Sequence, residues 1–335
     1  MFGDDSLLGA RGRRADVKDL ETNSGLPPNL DAEEPNSSWM MKSLDITIAA
    51  LQSELGFLAN PVGNHVQTAE MGNQSLNSLA LISARYCQTA VDVLSQLAAA
   101  HLLCLCQALD LRAMHIAFLQ TFKPIFQDTS SEILRPLLKE TGSLEALHAV
   151  LWSKLRKALD HATTMNSERR FDVAITSLQP TVLQYVRSST ETVPSMELWT
   201  KRCSEWMLRV YETNRSLYSA HADATPFLGR AALQMYDFVR NTLAIPFLRA
   251  HHIRSPYPES ELPGLADNDS QLDSHNEKDD VTIGTFLTIL YCAIRNGSLY
   301  IPAMESLREA QQYEEPPKPE STEFSEPEKV VDRRV

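Results

Sequence analysis

The chain has 335 residues and a formal net charge of −12, from 43 acidic against 31 basic residues. That length suits one large or two ordinary domains, and the acidity argues against a general polyanion binder, which needs clustered Lys and Arg. Five cysteines without a CxxC pair exclude a disulfide scaffold.

The charge is unevenly placed. Residues 1–35 hold eight acids and four bases, residues 255–280 eight acids and one base, and residues 311–335 seven acids and four bases. The remaining body is close to neutral, so the acidity belongs to two ends and one polar loop, a composition typical of solvated, disordered segments. No apolar run near Met1 is long enough for a secretory signal, and the greasiest stretch, Leu97–Leu111, is interrupted by His101, Gln107 and Asp110 and too short to span a bilayer. The expectation is a cytoplasmic protein without membrane or nucleic-acid partners.

In chain order, residues 1–35 read as irregular, with Pro27-Pro28 and several glycines. A helix is predicted from near Trp39, with Leu44, Ile48, Leu51, Leu55 and Leu58 on one face, ending at Asn60-Pro61. Neither Gly nor Pro occurs from Asn73 to Lys123, which predicts a single helix of about 50 residues, roughly 75 Å long. Its apolar residues wrap nearly all round between Leu97 and Leu111, as in the middle of a multi-helix bundle. Further helices are predicted over 143–162, 167–188, 196–218, 227–250 and 281–296, with breaks at Pro124, Pro136, Pro194 and Pro226. The fold class is therefore all-α: a long-helix central portion over 36–123, a helical cap over 124–254, an acidic loop over 255–280, a terminal helix and strand-like end over 281–310, and a disordered tail over 311–335. The apolar face of Leu76, Leu79, Ile82 and Leu94 has nothing to cover it in half a bundle, which predicts self-association or dependence on a partner.

No nucleotide-binding glycine motif, HExxH or GxSxG is present. His251-His252 reads as a surface pair, and His101 as a hydrogen-bonded core histidine rather than a metal ligand. One region stands out. Leu58–Arg85 is dense in amides and small polar residues, among them Asn60, Asn64, His65, Gln67, Glu70, Asn73, Gln74, Asn77 and Ser78. Such density at the entry to an apolar helix is either a capping and hydrogen-bond network or a ligand site. Glu70 and Gln74, four apart, share a face if the helix begins early enough.

At these residues the chain resembles the aromatic amino acid ammonia-lyases, in particular the fungal phenylalanine ammonia-lyases. The resemblance is carried by GLPPNLDAEEP (Gly25–Pro35), MKSLDI (Met41–Ile46), SELGFLANPVGNHVQTAEMGNQSLNSLALISAR (Ser53–Arg85) and CQALDLRAM (Cys106–Met114). RFDVAITSLQP (Arg170–Pro180), HADATPFLGRAALQMYDFVRNTLAIPF (His221–Phe247) and TIGTFLTILYCAIRNGSLYIP (Thr282–Pro302) extend it. It implies non-oxidative deamination of L-phenylalanine to trans-cinnamate and ammonia, and so a place in cinnamate-derived secondary metabolism. The family uses a 4-methylideneimidazol-5-one formed from an internal Ala-Ser-Gly, together with a catalytic tyrosine on a mobile loop.

By resemblance, Lys42 holds polar substrate groups, Glu70 lies near the substrate amino group and the electrophile, and Gln74 and Asn73 are amides of the same network. Ser43 stands where the family usually has Gly, a departure expected to reshape the backbone beside Lys42 slightly. The electrophile tripeptide, the tyrosine loop and the carboxylate-binding arginine belong to the family's N-terminal half and have no counterpart in this sequence. Asn23-Ser24-Gly25 matches the stretch before the GLP segment instead. The resemblance thus implies a truncated lyase that is inactive alone and has no cofactor of its own. Two alternatives stay open: a partial subunit that completes the site of an electrophile-bearing chain, and a non-catalytic scaffold or regulator of a full-length lyase. Its partners would be copies of itself or a lyase chain, in a homo- or hetero-oligomer.

Overall fold

The structure, a computed structural model, describes residues 25–35, 37–75, 77–139, 143–253 and 281–312. Residues 1–24 of the irregular segment expected over 1–35, the whole loop expected over 255–280, residues 313–335 of the tail expected over 311–335, and Leu76 lie outside them.

The fold is all-α, as the sequence predicts. Helix α1 (Lys42–Leu58) leads through a short hairpin, β1 (Thr68–Ala69) with β2 (Gln74–Ser75), into α2 (Ala80–Leu134). Then come α3 (Leu144–His161), α4 (Ser167–Thr176), α5 (Gln179–Tyr185), α6 (Thr192–Ala220), α7 (Arg230–Asp237), α8 (Ile283–Arg295) and α9 (Tyr300–Gln312).

Helix α2 is the axis of the molecule. Its 55 residues extend about 82 Å. It runs past Pro124, where the sequence predicts a break. Proline removes one intrahelical hydrogen bond and crowds the preceding turn. Here the turns on either side are held by Phe118, Phe122 and Phe126, each 1% exposed or less. These rings meet Phe171 of α4, Tyr211 and Trp199 of α6, and Trp152 of α3, at centroid separations of 5.4–6.5 Å. Trp199 donates its indole N–H to Ser130 Oγ at 3.0 Å, so the largest buried side chain also leaves no polar atom stranded.

The other helices follow the predicted stripes with local revisions. In α3 the Leu147, Leu151, Leu155 and Leu159 face is completely buried, and Ser143 caps the helix by accepting the Ala146 N–H at 3.3 Å. The helix expected over 167–188 is split at Ser177-Leu178, ahead of Pro180, into α4 and α5. Pro194 does not break α6, because it sits in the first turn, where its missing N–H has no intrahelical partner to lose. The helix expected over 227–250 is shorter. It passes into one wide turn at Phe238–Thr242 and then into irregular backbone with Ala244 left-handed. The strand-like end expected near 300–310 is instead α9.

Half of α2 has few neighbours. Its N-terminal part packs α1 on one side, through Leu44, Ile48 and Leu51, and α8 on another. The Phe57–Tyr86 pair, 6.4 Å apart, closes the far end of the α1 contact. Of the face predicted to need a cover, Leu79 and Ile82 are half-buried and Leu94 is 53% exposed. By length and apolar composition α2 could cross a bilayer, a longer window than the 97–111 run considered from sequence. In its middle, however, Gln107 and Asp110 are fully buried and hydrogen-bonded to other segments of the fold.

Candidate functional site

Lys42 is the first residue of α1. The preceding loop is shaped by Asp31, which is fully buried and accepts the Met40 N–H at 3.1 Å and the Ser38 hydroxyl. Met40 and Met41 are driven into the core, 1% and 0% exposed, and the Met41 N–H reaches Asn29 O at 3.2 Å. The chain turns here through left-handed Asn29, Leu30 and Trp39, φ 54°, 50° and 53°. A buried Met41 thus fixes where α1 begins and leaves Lys42 at its half-buried edge. Lys42 Nζ lies 3.4 Å from Asp45 Oδ2, and Asp45 is 8% exposed. Ser43 lies in the first turn of α1 without a left-handed φ. The helix does not need glycine there.

Glu70, Asn73 and Gln74 are not on a helix, which corrects the shared-helix-face expectation. Thr68 pairs with Ser75 and Ala69 with Gln74 in the antiparallel hairpin. Between the strands Glu70, Met71 and Gly72 all take left-handed backbone, at φ 53°, 55° and 85°, and the Asn73 N–H bonds Glu70 O at 3.1 Å. Glycine adopts that conformation freely, whereas Glu70 and Met71 each carry a steric cost of roughly 1–2 kcal/mol. Backbone strain of this kind concentrates at functional sites.

The turn brings Glu70, Asn73 and Gln74 together on one small element at the entry to α2. All three are exposed, as are Asn60, Asn64, His65, Gln67, Asn77 and Ser78. Their hydrogen bonds are local: Asn60 donates to Phe57 O at 2.8 Å, and Asn77 Oδ1 accepts the Leu79 N–H at 2.7 Å, just ahead of α2. The amide-rich segment is therefore not a buried core network, and the Asn77 bond closes a local turn ahead of α2. It presents its polar groups outward.

Three of the resembling motifs meet elsewhere. Asp110 of α2 is fully buried and accepts hydrogen bonds from Tyr218 at 3.0 Å and Tyr236 at 2.5 Å, with the Arg240 guanidinium on its other oxygen. Burial first, and Asp110 second, push both phenols well above the usual tyrosine range. Arg240 also donates to the carbonyls of Ile245 and Pro246. It reaches them from the wide turn after α7, a helical defect that re-aims one side chain. One turn earlier on α2, Gln107 donates to Leu30 O and Leu248 O, at 3.3 and 3.1 Å, and accepts the Leu248 N–H at 3.0 Å. This hub ties Gly25–Pro35 and His221–Phe247 to the centre of α2. The sequence reading did not single it out, although all its members except Tyr218 and Leu248 lie inside the quoted motifs. The hub is a fully satisfied clasp except for the buried Arg240 Nε, and it has no access from solvent at Asp110.

A groove of about 530 Å³, lined by Ala84, Cys87, Gln88, Val91 and Arg295, lies between α2 and α8. Among the described residues no group of three or more His, Cys, Asp or Glu side chains could hold a metal. His101 is exposed, not the core residue expected. His252, read from sequence as half of a surface pair, is 8% exposed beside exposed His251. It accepts the Arg249 N–H at Nδ1, 2.9 Å away, and meets Phe286 edge-on.

A family profile described as aromatic amino acid lyase matches residues 10–129. The chain is 34% identical over 282 residues to a phenylalanine aminomutase of Talaromyces islandicus that forms L-β-phenylalanine, covering 84% of this chain and 38% of the relative. It is 35% identical over 286 residues to phenylalanine ammonia-lyase of Flammulina velutipes, covering 83% and 37%. The crystal structure of phenylalanine ammonia-lyase from Rhodosporidium toruloides superposes with a TM-score of 0.71 at 30% identity, over 87% of this chain and 42% of that one. The chain spans about two fifths of the length of the relatives it matches. Motifs, sequence identity and superposition agree along nearly all the described residues, and the chain belongs to the aromatic amino acid lyase family.

Proposed function

We propose that this chain contributes the Lys42, Glu70, Asn73 and Gln74 portion of an aromatic amino acid lyase site. The reaction is loss of ammonia from L-phenylalanine to give trans-cinnamate. In this reading Lys42 holds a substrate carboxylate by charge, Glu70 faces the substrate ammonium, and the Gln74 and Asn73 amides orient both. The observation that supports it is the hairpin: two non-glycine residues in left-handed backbone, kept at a step where they hold a carboxylate and two amides exposed and together.

The electrophile of the family does not fit these residues alone, because no Ala-Ser-Gly occurs in the 335-residue sequence. Gly25 of Asn23-Ser24-Gly25 is not poised for cyclisation. It is pinned at φ 80° with Asp160 Oδ1 3.0 Å from where a Cβ would stand. The 335 residues by themselves are accordingly inactive. The electrophile's chemistry belongs to a chain that carries the tripeptide, and Glu70 and its neighbours serve a site shared with that chain in a cytoplasmic homo- or hetero-oligomer.

Complementation tests this reading. The purified chain with L-phenylalanine yields no cinnamate. A lyase chain whose own matching lysine and glutamate are replaced yields none either, and mixing the two restores product. Glu70→Gln in the present chain abolishes the restored activity while leaving its circular dichroism unchanged. Cinnamate from the isolated chain, or restoration that survives Glu70→Gln, overturns the proposal. Restoration insensitive to both Glu70 and Lys42 would mark a scaffold.

A further inference from the structure

Lys42 stands where a helix does not favour a cation. It is the first residue of α1, and the N-terminal end of a helix carries partial positive charge. Its backbone is nevertheless held there. The Lys42 N–H bonds Trp39 O at 2.9 Å, and the Asp45 N–H bonds Met41 O at 3.1 Å. Asp45 brings its carboxylate to the ammonium, with Nζ 3.4 Å from Oδ2. A lysine ahead of its acidic partner is the weaker order for helix stability. The two side chains also differ in exposure, 37% for Lys42 and 11% for Asp45. An acidic residue that served only the helix dipole would stay in water. Asp45 instead shares the buried face of α1 with Met41 and Ile48. That face packs on α2, where Asp45 lies against Cys104. Burial first, and the Asp45 charge second, push this thiol up to about 12. Cys104 is therefore neutral and supplies no countercharge. On the loop before α1, Asp31 is engaged by the Met40 N–H and the Ser38 hydroxyl. Asp45 Oδ1 is buried and has no hydrogen-bond partner among the described residues.

A buried carboxylate is costly unless it is paired, and one oxygen of this one is unsatisfied. Stability alone does not account for a charge kept on those terms. We infer that Asp45 is a positioning residue for Lys42: its carboxylate holds the ammonium at the edge of α1 and keeps it charged, so that Lys42 meets a substrate carboxylate as a fixed cation and not as a base. The inference rests on the proposed function, which gives Lys42 a carboxylate to hold. An ammonium has three N–H donors, so it can bond Asp45 and a substrate carboxylate together. Without Asp45 the helix dipole favours the neutral amine, and the long flexible stem loses its anchor at Oδ2. Asp45 acts through Lys42, since its own free oxygen is buried.

The test reads Lys42 directly in the full chain. Its lysines are reductively methylated with isotope-labelled formaldehyde, which keeps their charge, and the Lys42 signal in the magnetic resonance spectrum is the one missing from Lys42→Arg. Asp45→Asn, of nearly the same shape, shifts the Lys42 titration midpoint to lower pH with unchanged circular dichroism, and Asp45→Glu restores it. In the unaltered chain Lys42 titrates above the mean of the other lysines, a measurement that decides the matter if Asp45→Asn does not fold. With an electrophile-bearing lyase in the complementation assay, Asp45→Asn raises KM for L-phenylalanine about tenfold while kcat changes by less than about twofold. The rise steepens with pH as the unsupported ammonium loses its proton. A midpoint indifferent to Asp45→Asn, or one that lies below the other lysines in the unaltered chain, overturns the inference, and a purely structural Asp45 would give that result. Restored activity that depends on Glu70 and Lys42 but not on Asp45 also overturns it and leaves the proposed function standing. An unaltered chain that complements no lyase overturns the proposed function, and the midpoint still judges whether Asp45 governs Lys42.

Discussion

Buried polar side chains at single positions carry much of this molecule's specificity. Asp110 is fully enclosed, and one of its partners is a guanidinium. Removing one member of such a pair leaves the other charge buried and uncompensated. Asp110→Ala is expected to cost about 3–5 kcal/mol, and Tyr236→Phe, which removes the phenol that donates to Asp110 and accepts the Ala224 N–H, about 1–2 kcal/mol. Urea midpoints at constant m-value read both. The histidines set an acid limit. Burial lowers His115 to about 3, helped by Arg170, Arg112 and Arg156, and burial with His251 lowers His252 to about 4. A histidine depressed in the fold binds its proton more readily when unfolded. Its stabilising contribution is complete above about pH 6.5 and is lost as pH falls toward the folded values. Stability should therefore fall from pH 6.5 to pH 4, and His252→Gln should flatten that slope. An unchanged slope would mean that His252 is not neutral in the fold. Glu34 acts at lower pH. Burial alone would raise its carboxyl, but hydrogen bonds from Ser167 and the Arg215 guanidinium hold it below the usual range. Sequence alone assigns none of these residues its role, although Glu34, Gln107, Asp110 and Tyr236 lie inside the resembling motifs and His252 reads as half of a surface pair. Burial and partners 77–141 positions apart are set by tertiary packing, which local pattern does not encode.

Helices were legible wherever an apolar stripe was long. The leucines of α3 lie 0% exposed at the predicted positions, and the length of α2 was foreshadowed by a stretch without Gly or Pro. Prolines misled in both directions, because their effect depends on where they fall. Pro194 enters in a first turn, and Pro124 is carried by the aromatic packing around it. Since an interior proline costs about 3 kcal/mol, Pro124→Ala is expected to raise stability by about 1–3 kcal/mol in urea titration. A loss would show that the proline shapes a bend on which the Phe118–Phe126 packing depends. The candidate site was legible as composition but not as conformation: amide density marked the segment, while its hairpin arises from three successive left-handed residues, two of them not glycine. Met71 is 99% exposed, so Met71→Gly removes steric cost without removing contacts. It should slow amide exchange at Asn73 and Ser75 and leave the circular dichroism unchanged. Faster exchange would locate the strain elsewhere in the turn.

Across the whole molecule the contrast lies along one helix. The C-terminal part of α2 is wrapped by α3, α4 and α6 and buries three phenylalanines, whereas its N-terminal part keeps one open face and ends at an exposed hairpin. Opening free energies follow buried apolar contact, so one continuous helix is expected to behave as two units of different stability. At low protein concentration amides over 82–95 should exchange through local opening, and those over 115–133 only through global unfolding. Uniform protection along α2 at dilution would mean that α1 and α8 alone make the N-terminal part as stable as the cap, and the open face would then impose no stability cost on the isolated chain.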